Sequence, residues 1–238
     1  MPHLVLGPML RHVTDRTATV WVETDVPCTV RVLDHDAPTF TVAGHHYALI
    51  VVRGLPPNER IPYEVHLDET LAWPTDERFP ASVIRTSVER HPVRVLFGSC
   101  RAAAPHEPPY SLERDADDDA RGVDALWAHA RRMLGQEPDE WPDVALFIGD
   151  QVYADDSSPA AAARIDRRRA SHPDRADPPD DVVADFEEYT WLYQEAWAGD
   201  LERWFFSVVP SAMIFDDHDM IDDWNISASW VDDIRRQP

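Results

Sequence analysis

The sequence predicts a mixed fold, α+β or α/β, with an all-β sandwich over residues 1–89 followed by an α/β domain over 93–238. Three observations lead there. Residues 1 to about 88 carry short segments rich in β-branched and aromatic residues, separated by turn residues, which is the pattern of a sandwich. After them come a strand at Val93–Phe97, a helical stretch at Gly122–Leu134 and a strand at Val144–Ile148. Strand, helix, strand is a βαβ unit, and its natural outcome is a parallel pair. Val144–Ile148 is apolar throughout, without polar alternation, which predicts an inner strand buried on both faces.

Composition narrows the function classes. The chain has 238 residues, a soft prior of one or two domains. Its net charge is −22 and it contains no lysine, which argues against a nucleic-acid backbone or an anionic membrane as the main partner. Met1–Val13 lacks the charged start and long apolar run of a signal peptide. No apolar run reaches the length of a membrane span. Two cysteines, Cys28 and Cys100, are too few for a disulfide framework. As given, the sequence reads as soluble and cytoplasmic.

Within the first part, Thr17–Thr24, Thr29–Leu33, Thr39–Ala43, Tyr47–Arg53, Ile61–Leu67 and Ser82–Thr86 are the strand candidates. Asp25–Pro27, Asp34–Pro38 and Gly54–Asn58 punctuate them as turns. Gly54–Val65 is similar to the Leu-x-Pro…Tyr segment of fibronectin-type domains, with Ile61 where those domains carry a corner tyrosine and Tyr63 two residues on. His45-His46 has no further ligand nearby in sequence, so both read as surface or structural histidines. Glu89–Pro92 is polar and marks the boundary. Along Gly122–Leu134, Val123, Leu126, Trp127, Ala130 and Leu134 follow helical spacing. Ala160–Arg169 reads as a helix, Pro173–Asp181 as a loop, and Asp181–Val209 as a long helical stretch broken at Gly199-Asp200. Ala212–Phe215 is a further buried-type strand.

Chemistry gathers just past three of these strands. Cys100 follows the first. Asp150, Tyr153, Asp155 and Asp156 follow the second, four oxygen-bearing side chains within seven residues. Asp216, Asp217, His218, Asp219, Asp222 and Asp223 follow the third. Two like charges ~4 Å apart repel by roughly 4 kcal/mol at an effective dielectric of 20, so such groups need a cation, an arginine or solvent. The ends of adjacent parallel strands, ~4.8 Å apart, can converge on one point. A thiolate, carboxylates, a phenol and an imidazole converging there read as a metal site. Cys100 as a nucleophile or as an inert thiol, and Ser99 as a nucleophile without a Gly-x-Ser-x-Gly context, are the other readings.

Phe97-Gly-Ser-Cys-Arg101, Gly149-Asp-Gln-Val-Tyr-Ala-Asp155, Phe215-Asp-Asp-His-Asp219 and Asp222-Asp-Trp-Asn225 together resemble the alkaline phosphatase D (PhoD-like) branch of the calcineurin-like metallophosphoesterases. Gly7–Arg11 and Thr17–Thr24 are similar to that family's N-terminal β-domain. The resemblance implies a bimetallic hydrolase of phosphate esters. It assigns Cys100, Asp150 and Tyr153 to one metal, ferric iron, with Asp150 bridging to a second, calcium; zinc, manganese or magnesium are the alternatives. Asp217 stands at the place of an asparagine ligand of the second metal. His218 is implied as the catalytic histidine and Asp219 as the carboxylate that orients it. The chemistry implied is in-line attack of a metal-activated water, with His218 stabilising or protonating the leaving oxygen. The family carries further ligands in a C-terminal half, so this reading expects an N-terminal fragment: the first half of a metallophosphoesterase α/β sandwich, with a separately encoded second half as a partner. The rival functions are a non-catalytic remnant or binding module that uses the sandwich, and a different metal-dependent phosphotransferase. The latter lacks a Gly-rich phosphate loop here.

Overall fold

The computed structural model describes residues 1–75, 77–87, 92–171 and 182–236. Part of the Glu89–Pro92 boundary and the Pro173–Asp181 loop fall outside the described residues. The protein is a mixed α/β molecule with several sheets. It divides into two compact units, both discontinuous in sequence. The first comprises Met1–Phe97, Ala125–Phe147 and Trp197–Met213; the second comprises Gly98–Asp124, Ile148–Ala196 and Ile214–Pro238. The first unit thus draws on chain from both sides of residues 89–93.

The first unit is built on two four-stranded antiparallel sheets. One has the order β1 (Leu4–Val13), β2 (Thr17–Thr24), β6 (His45–Arg53), β5 (Phe40–Val42). The other runs β4 (His35–Pro38), β3 (Thr29–Val32), β8 (Val65–Leu67), β9 (Thr70–Trp73). Alternation sets the register. Val20 pairs with Ile50 in the first sheet and Val30 with Leu67 in the second, and all four are buried in one core. On the outer face, Trp21 stacks on Tyr47 at 5.8 Å. A sheet slipped by one residue would turn the valines outward.

Three differences from the sequence expectations have physical reasons. Ile61–Leu67 is two strands: β7 (Arg60–Pro62) pairs with β10 (Val83–Arg85), while β8 pairs with β3. Pro62 has no N–H to continue a ladder, and the chain changes sheet there. His35–Pro38 is a strand rather than a turn, because its backbone pairs with β3 whatever its polar side chains prefer. The opening strand β1 is the longest in the chain, and register shifts interrupt its alternation. It is buried from Leu6 to Leu10 because helix α4 (Asp200–Val208) packs on it. Trp204, Phe205, Phe206 and Val208 of α4 lie in the same core as the residues of the two four-stranded sheets. Tyr63 sits in that core and donates its hydroxyl to the Ser207 carbonyl at 2.7 Å.

A three-stranded sheet, β11 (Val95–Gly98), β12 (Val144–Ile148), β13 (Ser211–Ile214), has β12 at its centre. The Asp143 amide bonds the Arg94 carbonyl before these strands, and the Cys100 amide bonds the Gly149 carbonyl after them, so β11 and β12 run the same way. One face is packed: Ala145 is buried and Phe147 lies 5.7 Å from Phe206. The expectation that Val144–Ile148 is buried on both faces is corrected on the other face. There Val95, Phe97, Ile148 and Ile214 are exposed, because no described element covers them.

The helices close to their expected places are α1 (Ala125–Met133), α2 (Pro159–Ala170), α3 (Phe186–Trp197) and α4; a short α5 (Ala228–Ile234) follows the last acidic loop. Ser158 caps α2 by accepting from the Ala161 amide, with Pro159 in the first turn. Among the described residues no helix is long and apolar enough to cross a membrane.

Candidate metal centre

The loops leaving β11, β12 and β13 all belong to the second unit, and backbone geometry brings them together. Gly149 has φ +121°, and a Cβ there would stand 2.5 Å from the Asp216 Cβ. Only glycine lets the β13 loop approach the β12 loop this closely. Asp150 and Cys100 also have positive φ, 48° and 58°. The Arg101 amide bonds the Asp150 carbonyl at 3.2 Å. Asp219 joins the remaining two loops. It is buried, and its Oδ1 accepts from the Gln151 and Val152 amides at 2.8 and 3.1 Å while Oδ2 accepts from the Asp216 amide at 3.0 Å. Burial nevertheless outweighs these bonds and raises its carboxyl above the usual range.

The carboxylates of Asp150, Asp216 and Asp217 offer ligand atoms within 4.8 Å of one another, and Asp217, Asp222 and Asp223 form a second such group. Asp150 is buried, and its Oδ1 has no hydrogen-bond partner. An orphaned carboxylate oxygen at that depth is costly unless a cation takes it, so the donor set fits a hard metal ion. Cys100 is exposed. Its thiol donates to the Ser99 hydroxyl at 3.3 Å. Turned the other way, the Ser99 hydroxyl donates to the ionised sulfur and lowers its pKa, but a hydrogen bond with Asp150, burial and the charges of Asp150 and Asp216 together raise it. The Tyr153 phenol is pushed up to about 12, first by burial and then by the negative charges of Cys100 and Asp150. A thiol and a phenol held protonated by carboxylates are groups whose ionised forms only a nearby cation would favour.

His218 packs its ring on Tyr153 at 4.7 Å. Its Nδ1 faces Asp155, with 3.0 and 3.1 Å to the two carboxylate oxygens. Asp222 lies 3.6 Å from Nε2. Burial lowers the imidazole pKa, but the Asp155 bond and charge prevail, and the net shift is upward. The carboxylate that meets His218 is Asp155, whereas Asp219, expected to orient the ring, spends its oxygens on backbone amides. Of the residues singled out in the sequence, Cys100, Asp150, Tyr153, Asp217 and His218 are brought to one place. Asp216 and Asp155 were not assigned roles from sequence. The available signal was position alone: Asp216 directly follows a strand, and Asp155 stands two residues past Tyr153.

Residues 121–237 match the family model of the PhoD-like phosphatases, and residues 1–84 match a domain of unknown function, DUF7800. No curated protein matches the chain. A solved structure of PhoD shares its fold over 92% of this chain, with a TM-score of 0.57 and 12% sequence identity. This chain spans 40% of the length of that one. Over residues 121–237, just under half of the chain, the protein is thus similar to the PhoD-like phosphatases.

Proposed function

We propose that the protein hydrolyses phosphoric esters in a metal-dependent reaction, as a phosphomonoesterase or phosphodiesterase. The observation that supports this best is the Asp150–Asp216–Asp217 carboxylate group with its orphaned Asp150 oxygen, flanked by Cys100, Tyr153 and His218. In this reading Cys100, Asp150 and Tyr153 hold one ion, Fe3+, and Asp150 with Asp217 holds a second, Ca2+; Asp216 is added to the ligand candidates. When bound, such ions supply positive charge against the phosphate oxygens and an activated water.

The chain's own residues do the rest. Asp155 fixes the ring of His218 with its Nδ1 occupied, so Nε2, which has Asp222 at 3.6 Å, is the nitrogen that donates a proton to the leaving oxygen in this reading. Tyr153 backs the imidazole and limits its swing. Residues 1–89 form the fibronectin-like sandwich in this reading, and residues 93–238 carry the catalytic region. The test is metal content together with phosphate release from p-nitrophenyl phosphate by the purified chain. Chelator-sensitive turnover with stoichiometric metal is the expected result. Metal-free protein without turnover after reconstitution would favour a binding module instead.

A further inference from the structure

A cavity of about 440 Å³ opens within the second unit beside the candidate centre. Its volume lies within the usual range for small-molecule pockets, about 300–1,000 Å³. Tyr153 belongs to both the cavity wall and the centre, whereas Cys100, Asp150 and Asp217 do not line the cavity. Part of the wall is small or apolar, made by the Ala102–Pro105 segment, Val152 and Leu192 with Tyr110 as a second aromatic, while Asp119, Arg121, Asp156, Ser157, Ser158 and Glu195 line the rest. Arg114 also lines it. That arginine is exposed and has no hydrogen-bond or ion-pair partner among the described residues, yet its charge is felt at the Tyr153 phenol. In a chain with 44 acidic and 22 basic residues, a cation without a carboxylate partner is one left for an anion from outside.

We propose that this cavity receives the alcohol portion of the phosphate ester, that this portion is a compact apolar or aromatic group, and that Arg114 pairs with a phosphate oxygen. The inference rests on the hydrolase reading above and specifies its substrate class. The chemistry of the wall selects. An aromatic ring placed against alanines, Leu192 and Tyr110 loses water at no polar cost. A polyol in the same place would meet polar groups that are partly engaged already, Ser158 with Glu195 and Arg121 with the Asp118 and Ala120 carbonyls, so it gains less from the wall than a ring does.

Calorimetry tests this without turnover. The full 238-residue chain, reconstituted with Fe3+ and Ca2+, is titrated with phenylphosphonate and with methylphosphonate, which share the anion and differ in the attached group. Phenylphosphonate should bind roughly 10-fold or more tightly, as burial of one ring implies. Ala103→Trp, which fills the cavity, should remove that advantage and leave methylphosphonate binding unchanged. If the tryptophan variant does not fold, Tyr110→Ala replaces it and should shrink the advantage. Arg114→Ala should weaken both phosphonates by the same factor, on the order of 5-fold for a partly solvated charge pair. Equal affinity for the two phosphonates would overturn the cavity assignment while leaving the hydrolase reading intact. Failure of both to bind would overturn the hydrolase reading and the inference with it. An unaltered Arg114→Ala would remove Arg114 from the proposal.

Discussion

Asp155 and Asp219 lie on opposite sides of His218 in sequence terms and do different physical work. Asp155 faces the imidazole, so Asp155→Asn should lower kcat by on the order of 10-fold with little change in Tm. Asp219 holds three backbone amides of two loops. Asp219→Asn should therefore destabilise the protein by roughly 2–4 kcal/mol, seen as a Tm lower by several degrees. Thermal melts beside steady-state kinetics separate the two. In the same way, Asp150→Asn should strip most bound metal, whereas His218→Ala should retain it and lose turnover; elemental analysis of both variants checks this. At this scale the sequence was legible in residue type and place. Cys100, Asp150, Tyr153, Asp217 and His218 each follow a strand closely, and a strand end is where such chemistry collects. Direction was not legible. Whether Asp155 or Asp219 meets the ring depends on how two loops fold over each other, and spacing does not encode that.

Among the elements, the turn after β12 and the α2–α3 pair carry the clearest consequences. Gly149→Ala combines a Cβ against Asp216 with φ +121°, a strain of about 1–3 kcal/mol before the clash is counted. It should push the β13 loop away and weaken metal binding more than it weakens the fold; the metal content of folded variant protein is the measurement. Between α2 and α3, Glu188 is buried and accepts from Arg168 at 3.1 Å, from Arg169 at 2.8 and 3.0 Å, and from the Ala184 amide at 2.8 Å. Burial raises its carboxyl, but the Arg169 and backbone bonds outweigh it and the net shift is downward from 4.5. A folded pKa below the unfolded one stabilises fully above that unfolded value, and the gain is lost as pH falls through the folded value. Glu188→Gln should thus cost at least about 2 kcal/mol at neutral pH and much less near pH 3, measured by urea unfolding at both. The helices were legible because their periods run over several turns. The strands β4 and β9 were not, since short polar strands gain their place from partners rather than from their own residues.

For the whole molecule, the uncovered face of the three-stranded sheet decides behaviour in solution. Phe97 and Ile214 are 70% and 60% exposed, and Val95 and Ile148 are exposed beside them in the sheet order. Apolar surface of this kind drives association. Sedimentation velocity of the isolated chain should show association that grows with concentration, reduced in the double variant Phe97→Ser, Ile214→Thr. The sequence reading placed an apolar run in each of these strands; run length reports apolarity and not what lies above it. The mixed architecture was legible from the change of period near residue 93. That chain beyond that point completes the core of the two four-stranded sheets was not, since helix α4 carries the same apolar stripe whichever sheet it covers.

The core shared by the two four-stranded sheets and α4 also has a consequence for synthesis on the ribosome. Trp204, Phe205 and Phe206 fill the same core as Leu10, Val20 and Ile50, nearly two hundred residues after the chain begins. The β-strands emerge first and must wait, with part of their interior unfilled, until the 197–213 segment has cleared the exit tunnel. During that interval the nascent chain presents strand edges and open apolar surface, the state in which aggregation competes with folding. Translation speed between residues 97 and 213, and whatever shields the emerging strands, therefore bear on yield.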